Sequence, residues 1–195
     1  MAVDAFLQFK KPGDNAVSLS GETKDKIMKS SSPAPFEITS WSFGVNNPLS
    51  MGSASGGAGA GKVNFDSFTI SKQIDSASPY LFHTCCAGGH YQELVLWLRR
   101  AGGSSANQSG VVFLKFNFKL VMIENIEWAH GDPAPTETIK FQYGALSIVY
   151  YPQTSGGKIA DKKNAMWDRV LNANVFDGGY GSPTDPSSEK NPGDG

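Results

Sequence analysis

The sequence predicts a single, mainly β (α+β) domain, and three observations carry that prediction. Apolar and polar residues alternate over several long stretches, the longest being residues 111–128, and a period of two is typical of strands. Only one stretch, about residues 79–87, combines possible capping serines, an early proline and two terminating glycines into a short helix. A chain of 195 residues is long enough for one well-buried core.

The strands follow one another with few helical interruptions. We predict strands at residues 3–9, 36–45, 63–74, 91–100, 111–128 and 136–151, with a short one near 16–19 and an irregularity at Asp66 and Ser67. Residues 111–128 form either a hairpin or one long, bent strand. Residues 158–171 have a helical composition but also fit a loop and a strand around Trp167.

The two faces of the longest strand differ sharply. Its apolar face is predicted to carry Val112, Leu114, Phe116, Phe118, Leu120 and Met122. The opposite face carries Lys115, Asn117 and Lys119, which is typical of a sheet with one hydrated face. Residues 146–151 are apolar on both faces, which predicts burial against a second surface, within the domain or in a neighbouring subunit.

Composition names no charged partner. The formal net charge is −1, with 17 basic and 18 acidic residues, so we expect neither nucleic acid nor an anionic membrane as partner. The first residues lack a secretory signal, and no stretch reaches the roughly 20 apolar residues of a membrane helix, so we expect a cytoplasmic, soluble protein. The two cysteines, Cys85 and Cys86, are adjacent and form no disulfide framework.

A glycine-rich loop imitates a phosphate-binding motif. Gly56 to Lys62 reads G-x-x-x-x-G-K, but the next position, where a P-loop needs Ser or Thr, is Val63. A P-loop also leads into a helix, whereas this loop leads into a predicted strand. Nucleotide binding therefore remains an alternative that the context disfavours.

No catalytic or metal-binding cluster stands out. His83, Cys86 and His90 have helical spacing, but Gly88 and Gly89 should end the helix before His90, and a structural zinc site needs four ligands. We therefore expect no enzyme activity, no metal and no cofactor. A small-molecule-binding or carbohydrate-binding β-sandwich is a further alternative, suggested only by the aromatic strands.

Several motifs, in order and over residues 1–151, carry a more specific signal. They read MAVDAFLQF, GETKDKI, ITSWSFGV, GGAGAGKVNF, FTISKQIDSASPYLF, CCAGGHY and RRAGG. Together they resemble the haemolysin-coregulated protein (Hcp) family of bacterial type VI secretion systems.

The resemblance implies a fold and a role. The fold is a small β-barrel of two sheets with one short flanking helix over residues 1–176, followed by a tail at 177–195 whose composition predicts disorder. Six copies would form a ring, and rings would stack into the inner tube that a contractile sheath propels. Family members are exported from the bacterial cytoplasm through the secretion system, can carry effectors in the ring lumen, and work with sheath and spike proteins.

The resemblance also implies site residues. The loop of Met51, Gly52, Gly56, Gly57, Gly59, Gly61 and Lys62 would reach adjacent subunits or rings. Ser42, Lys115, Asn117 and Lys119 are candidates for the lumen wall, although ordinary outer surface explains them equally well. Residues 11–19 look longer than the family pattern. After Tyr151 only Trp167, Asp168 and Arg169 match, and there the family favours a closing strand.

Overall fold

The computed structural model describes residues 3–51, 58–60, 62–100, 110–152 and 161–192. In these ranges the chain forms one α-helix, α1 (Ser78–Cys86), and a 3₁₀ turn, Met28–Ser30. The strands are β1 (Val3–Pro12), β2 (Phe36–Glu37), β3 (Ser40–Ser42), β4 (Val45–Asn46), β5 (Leu49–Met51), β6 (Ala58–Ala60), β7 (Asn64–Phe65), β8 (Phe68–Gln73), β9 (His90–Arg100), β10 (Val111–Ala129), β11 (Thr136–Tyr150) and β12 (Lys163–Asp168).

Most strands join one curled antiparallel sheet. Its order is β2-β1-β9-β10-β11-β8-β3, and β12 branches from β11. The first part of β11 pairs with β8 up to Phe141, and the second part pairs with β12 from Ala145 onward. Because two strands share one edge of β11, the sheet divides there and curls into a half-barrel. The mainly β fold with one short helix is confirmed.

A narrow arm projects between β3 and β8. Val45 pairs with Phe65 at its base, and Leu49 pairs with Ala60 further out. We call the described residues of this stretch, 45–51, 58–60 and 62–65, the arm. The predicted irregularity at Asp66 and Ser67 is real, but it separates β7 from β8 instead of bulging a single strand.

The larger core cluster lies on one side of the curled sheet and is closed by α1, while a smaller cluster around Phe6, Trp97 and Val149 is buried on the other side. Aromatic rings fill the centre of the larger cluster: Phe68 stacks on Phe118 at a centroid distance of 4.5 Å, and Phe9 meets Tyr91 edge-on at 4.6 Å. Leu81 of α1 is fully buried against this cluster. The short helix is therefore held by tertiary packing, as its length requires.

β10 is a single long strand whose alternation shifts at Leu120. Leu120 has a φ of 51°, which interrupts the pleat, so Val121 and Ile123 continue the buried face. The prediction of one apolar core face is wrong for three of its residues: Met122 is 43% exposed, Leu120 is only half-buried, and Val112 packs in the smaller cluster. Across the ladder, a Cβ on Gly144 would lie 3.0 Å from the Cβ of Leu120, which explains the glycine.

Two other predictions about chain segments are settled by the described residues. The closing strand around Trp167 is confirmed as β12, which pairs with the end of β11. The short strand near residues 16–19 is wrong, because this stretch has no strand pairing. Its apolar residue Leu19 is buried from a loop instead.

The tail prediction also needs correction. Residues 177–192 have no helix or strand, as their Gly, Pro and Ser content suggests, but the described residues pack on the sheet. Asp177 is buried, and its carboxylate accepts backbone N–H bonds from Gly181 and Ser182 at 2.8 and 2.7 Å. Composition predicts disorder only where nothing offsets the entropy of ordering, and here lysines of the sheet do so.

A buried ion pair joins α1 to the sheet. Nζ of Lys72 on β8 lies 2.7 Å from Oε1 of Glu137 on β11 and 2.8 Å from Oδ1 of Asp75. Ser78, in the first turn of α1, donates its hydroxyl to Glu137 Oε1 at 2.7 Å. The indole N–H of Trp128 donates to Oε2 at 3.1 Å. Each group in this network therefore has a partner, which buried charges require.

Removing Phe118 should cost far more stability than removing Met122 from the same strand. Phe118→Ala leaves a cavity in the aromatic core, and we expect the free energy of unfolding to fall by about 3–5 kcal/mol. Met122→Ala, on the exposed side of the Leu120 irregularity, should cost less than about 1 kcal/mol. Urea unfolding followed by circular dichroism measures both. Equal losses would contradict the shift of faces at Leu120.

Breaking the buried ion pair should be expensive. Lys72→Met leaves Glu137 buried without its cation, and we expect a loss of roughly 3–5 kcal/mol in urea unfolding. Glu137→Gln in the same background should then cost much less than it does alone, because the two side chains are coupled. Additive losses in this double-mutant cycle would show that the two groups act independently.

Candidate interaction surfaces

An apolar groove lies between the base of the arm and the β11–β12 pair. It encloses about 550 Å³ and includes Val45, Val63, Phe65, Ile148, Met166 and Trp167. Val45 is 54% and Ile148 37% exposed. An open apolar surface of this kind marks an interaction site more often than chance exposure of single residues does.

The double-sided apolarity at the end of β11 was the sequence signal for this groove. Leu146 and Val149 are buried within the chain, whereas Ile148 and Tyr150 remain exposed. Leu146, Ile148 and Tyr150 share one face of the strand and Val149 lies on the other, so the fold covers the Val149 face and only part of the opposite face. Met166 and Trp167 complete the groove from β12, and no sequence pattern identified them as site residues.

Polar groups border the groove on the side of β10. The guanidinium of Arg169 lies 5.3 Å from the ring of Phe65 and 5.1 Å from that of Tyr143, and it donates to the Tyr143 carbonyl at 2.8 Å. Burial raises the pKa of Tyr143 to about 12, so its phenol stays protonated at neutral pH. Through its contacts with Phe65 and Tyr143, Arg169 fixes the base of the arm against β11.

A separate aromatic patch lies at the other end of the β10–β11 ladder. Tyr80 and Phe82 of α1 and Trp128 of β10 are each about half exposed, and the rings of Phe82 and Trp128 are 5.9 Å apart. Trp128 pairs with Glu137, whereas the groove contains Ile148. At about 3.3 Å per residue these positions are about 35 Å apart along β11.

The polar face of β10 is covered by the chain itself. Lys115, Asn117 and Lys119 are all buried, so the prediction that this face is hydrated is wrong for the single chain. Residues 176–192, here called the C-terminal segment, supply the cover. Lys119 donates to the Phe176 carbonyl at 3.1 Å, and Lys115 donates to the Pro186 carbonyl at 2.9 Å.

Two further lysines hold the same segment. Lys10 of β1 lies 2.5 Å from Oε2 of Glu189, and Lys162 donates to the Ser187 carbonyl at 2.5 Å. We call Lys10, Lys115, Lys119 and Lys162 the lysine face.

Burial shapes the ionisation of these groups. It lowers the pKa of both Lys115 and Lys119, since a buried ammonium is poorly solvated. Burial also opposes ionisation of Glu189, but the hydrogen bond and charge of Lys10, joined by Lys115, outweigh it and lower the pKa of that carboxyl.

The remaining predicted site residues divide between described and undescribed parts of the chain. Ser42 is exposed on β3. Met51 and Gly59 belong to β5 and β6 of the arm, and Lys62 is exposed near its base. The other loop positions, Gly52, Gly56, Gly57 and Gly61, lie outside the described residues.

The local context of the P-loop-like segment differs from a phosphate site. After Lys62 the chain continues as β7 and β8, and the helix follows only at Ser78. A phosphate site of this class requires a helix N-terminus directly after the loop. The strand prediction for this stretch is confirmed.

The histidines and cysteines do not assemble into a cluster. His83 and Cys86 are exposed on α1, while His90 begins β9 and places its imidazole over Gly13. Among the described residues, no three His, Cys, Asp or Glu side chains are grouped to hold a metal ion. In those same ranges, no helix is long and apolar enough to cross a membrane.

The fold and surfaces together define a mainly β half-barrel with one flanking helix, a projecting arm and uncovered apolar surfaces. The profile of the family described as "Type VI secretion system effector, Hcp" matches residues 6–150. Protein hcp1 of Pseudomonas aeruginosa is 32% identical over 159 residues, which cover 80% of this chain and 88% of that protein. The chain therefore belongs to the Hcp family of type VI secretion system effectors.

Solved structures agree on the fold. A structure described as a type six secretion system protein superposes with a TM-score of 0.70 at 22% identity, covering 88% of this chain and 99% of that one. Hcp1 from Salmonella typhimurium superposes with a TM-score of 0.64 at 23% identity, covering 90% and 100%. Similarity at this level of identity concerns the fold alone.

The C-terminal segment should loosen on acidification. The pKa of Glu189 is lower in the docked segment than its ordinary value of 4.5, so the ionised carboxylate stabilises docking at pH values above 4.5. This stabilisation is lost as the pH falls through the lower pKa of the docked state. Hydrogen exchange of amides 185–192, corrected for intrinsic rates, should show protection falling below pH 4.5.

Glu189→Gln is the control for this pH dependence. It should reduce the loss of protection below pH 4.5 without abolishing it, because hydrogen bonds from Ser187 also lower the pKa of Asp185. Protection that is independent of pH in the parent chain would contradict the assignment of the ionic contacts.

Proposed function

We propose that this chain is a structural subunit of the type VI secretion inner tube, forming hexameric rings that stack. Membership of the Hcp family supports the proposal. The observation that carries it is the open apolar groove containing Val45, Ile148 and Met166, which the described residues leave unfilled. Exposed apolar surface of this kind favours contact with another molecule, because covering it removes it from water.

A closed ring requires two different surfaces on each subunit. In a head-to-tail contact, one surface of a subunit packs against a different surface of its neighbour. Such contacts form a ring when the rotation from each subunit to the next closes on itself. The groove at Ile148 and the aromatic patch at Trp128 provide two such surfaces at opposite ends of β11. We assign the groove and the patch to the two halves of one head-to-tail contact, in which the groove of one subunit packs against the patch of its neighbour.

The arm is suited to contacts between subunits or stacked rings. Its ladders, β4–β7 and β5–β6, are separate two-stranded sheets. An isolated two-stranded ribbon is marginal in water, so packing against a neighbour would stabilise it. The proposed stacking residues are Met51, Gly52, Gly56, Gly57, Gly59, Gly61 and Lys62, with glycines permitting close backbone approach.

Export, cargo and external partners extend the same proposal. The tube subunit would leave the bacterial cytoplasm through the system, with sheath and spike proteins as partners and effectors in the lumen. Ser42, exposed on β3, is a candidate for the lumen wall. Lys115, Asn117 and Lys119 would reach a lumen only if the C-terminal segment moved away.

A charge in the groove should disrupt the assembly. Ile148→Arg places a guanidinium where a neighbour would pack, and we expect rings seen by negative-stain microscopy and native mass spectrometry to dissociate at least about tenfold more readily. Ile74→Arg, at an exposed apolar position of similar accessibility outside the groove, is the matched control. Intact rings in the Ile148 variant would exclude the groove as the interface.

Oligomeric state and thermal stability separate this proposal from the alternatives. A β-sandwich that binds small molecules would stay monomeric or dimeric, which would sink the ring proposal. A nucleotide-binding protein would be stabilised thermally by Mg-ATP through Lys62, whereas we expect no shift, in the parent chain or in Lys62→Ala.

A further inference from the structure

The lysine face and the C-terminal segment form a receptor and ligand within one chain. The face contributes donors only, since a protonated lysine has no acceptor. The segment contributes acceptors: the carbonyls of Phe176, Pro186 and Ser187 and the carboxylate of Glu189. Recognition therefore rests on backbone carbonyls, two of them in the turn at Pro186 and Ser187, and on one anionic side chain.

The segment has a fixed root and a separable distal part. At the root, the carboxylate of buried Asp168 accepts N–H bonds from Leu171 and Gly178, at 2.8 and 2.6 Å. Residues 179–185 are exposed. The chain then returns to the sheet, where Pro186 and Ser187 are buried again. An exposed span thus links the root to residues 186–192.

The distal part is held mainly by polar contacts. Lys115 and Lys162 bind its backbone carbonyls, and Lys10 binds Glu189, whose side chain is 43% exposed. No strand pairing joins residues 186–192 to the sheet within the described ranges. Release of this part would return Lys115 to water, which offsets the loss of its bond to the Pro186 carbonyl.

The cover leaves polar groups of the face unsatisfied. Asn117 lies between Lys115 and Lys119 on β10 and pairs with Ser147 across the ladder. Both are fully buried, yet the Asn117 amide and the Ser147 hydroxyl bond to no described protein group. Buried polar groups usually find partners, so the segment covers this part of the face without bonding to it, which weakens its attachment.

We propose that the lysine face is a docking site for this segment in trans, so that residues 186–192 of one copy bind the lysine face of a second copy. A second copy is the proposed occupant because it carries the same segment that contacts this face in cis. Exchange replaces each contact in cis by the identical contact in trans, which makes swapping inexpensive. Exchange requires the bonds of Gly181 and Ser182 to Asp177 and of Thr184 to the Phe176 carbonyl to open, after which residues 179–185 can span at most about 25 Å.

Exchange of the C-terminal segment goes beyond the proposed tube role. Ring contacts would use the groove and the aromatic patch, whereas the exchanged segment would add a polar, reversible link on another face of the sheet. The two proposals fail separately, because ring formation is read by microscopy and segment exchange by cross-linking.

Cross-linking between differently tagged full-length chains tests the exchange. In a Cys85→Ser, Cys86→Ser background, one chain carries Lys10→Cys and the other Glu189→Cys, replacing the two partners of the ion pair. After mixing and mild oxidation we expect a mixed disulfide dimer, suppressed by an excess of synthetic peptide spanning residues 176–192. A chain carrying both substitutions reports closure in cis.

Further variants separate docking from mere proximity. Lys115→Met, added to the Lys10→Cys chain, should slow mixed-disulfide formation about tenfold, as loss of one charged contact predicts. Lys140→Met is the matched control, since Lys140 lies on β11 and pairs with Glu127. Closure in cis without a mixed disulfide overturns the proposal. A mixed disulfide that neither the peptide nor Lys115→Met reduces overturns it as well.

Discussion

The buried pair of Lys72 and Glu137 is the constraint on which the fold depends. Two opposite charges in the interior are tolerable only when each is paired and hydrogen-bonded. Here the partners come from β8, the turn at Asp75, the start of α1 and the end of β10. Satisfying one carboxylate therefore fixes the helix, β8 and the β10–β11 ladder relative to one another.

That alignment creates the division of the sheet. Because β8 is fixed beside the first half of β11, the second half of the same edge is available to β12. Gly144 and Leu120 lie at the division, where the pleat of β10 also changes phase. The apolar groove is the surface consequence, since the arm leaves β3 and rejoins β8 just beside this split. The buried ion pair and the apolar groove therefore depend on the same arrangement of β8, β11 and β12.

Sequence patterns predicted what local alternation can encode and missed what depends on distant residues. The strands, the helix at Ser78–Cys86 and the closing strand were predictable from period and motif resemblance. The shift at Leu120 was not, because a single left-handed residue leaves no compositional trace. The buried state of Lys115 was also hidden, since its partners lie about 70 residues away in a segment with a disordered composition.

In two regions of the surface, the polar and apolar groups are arranged in the reverse of what an isolated β domain needs. The chain folds its own C-terminal segment over lysines that water could solvate, yet leaves Val45, Ile148 and Trp128 exposed. Covering charge has a desolvation cost, whereas covering apolar surface would have been favourable. This arrangement is understandable if the apolar surfaces are reserved for contacts that form on assembly. The polar cover would then be the part that can move, since its contacts are replaceable by water or by a second copy.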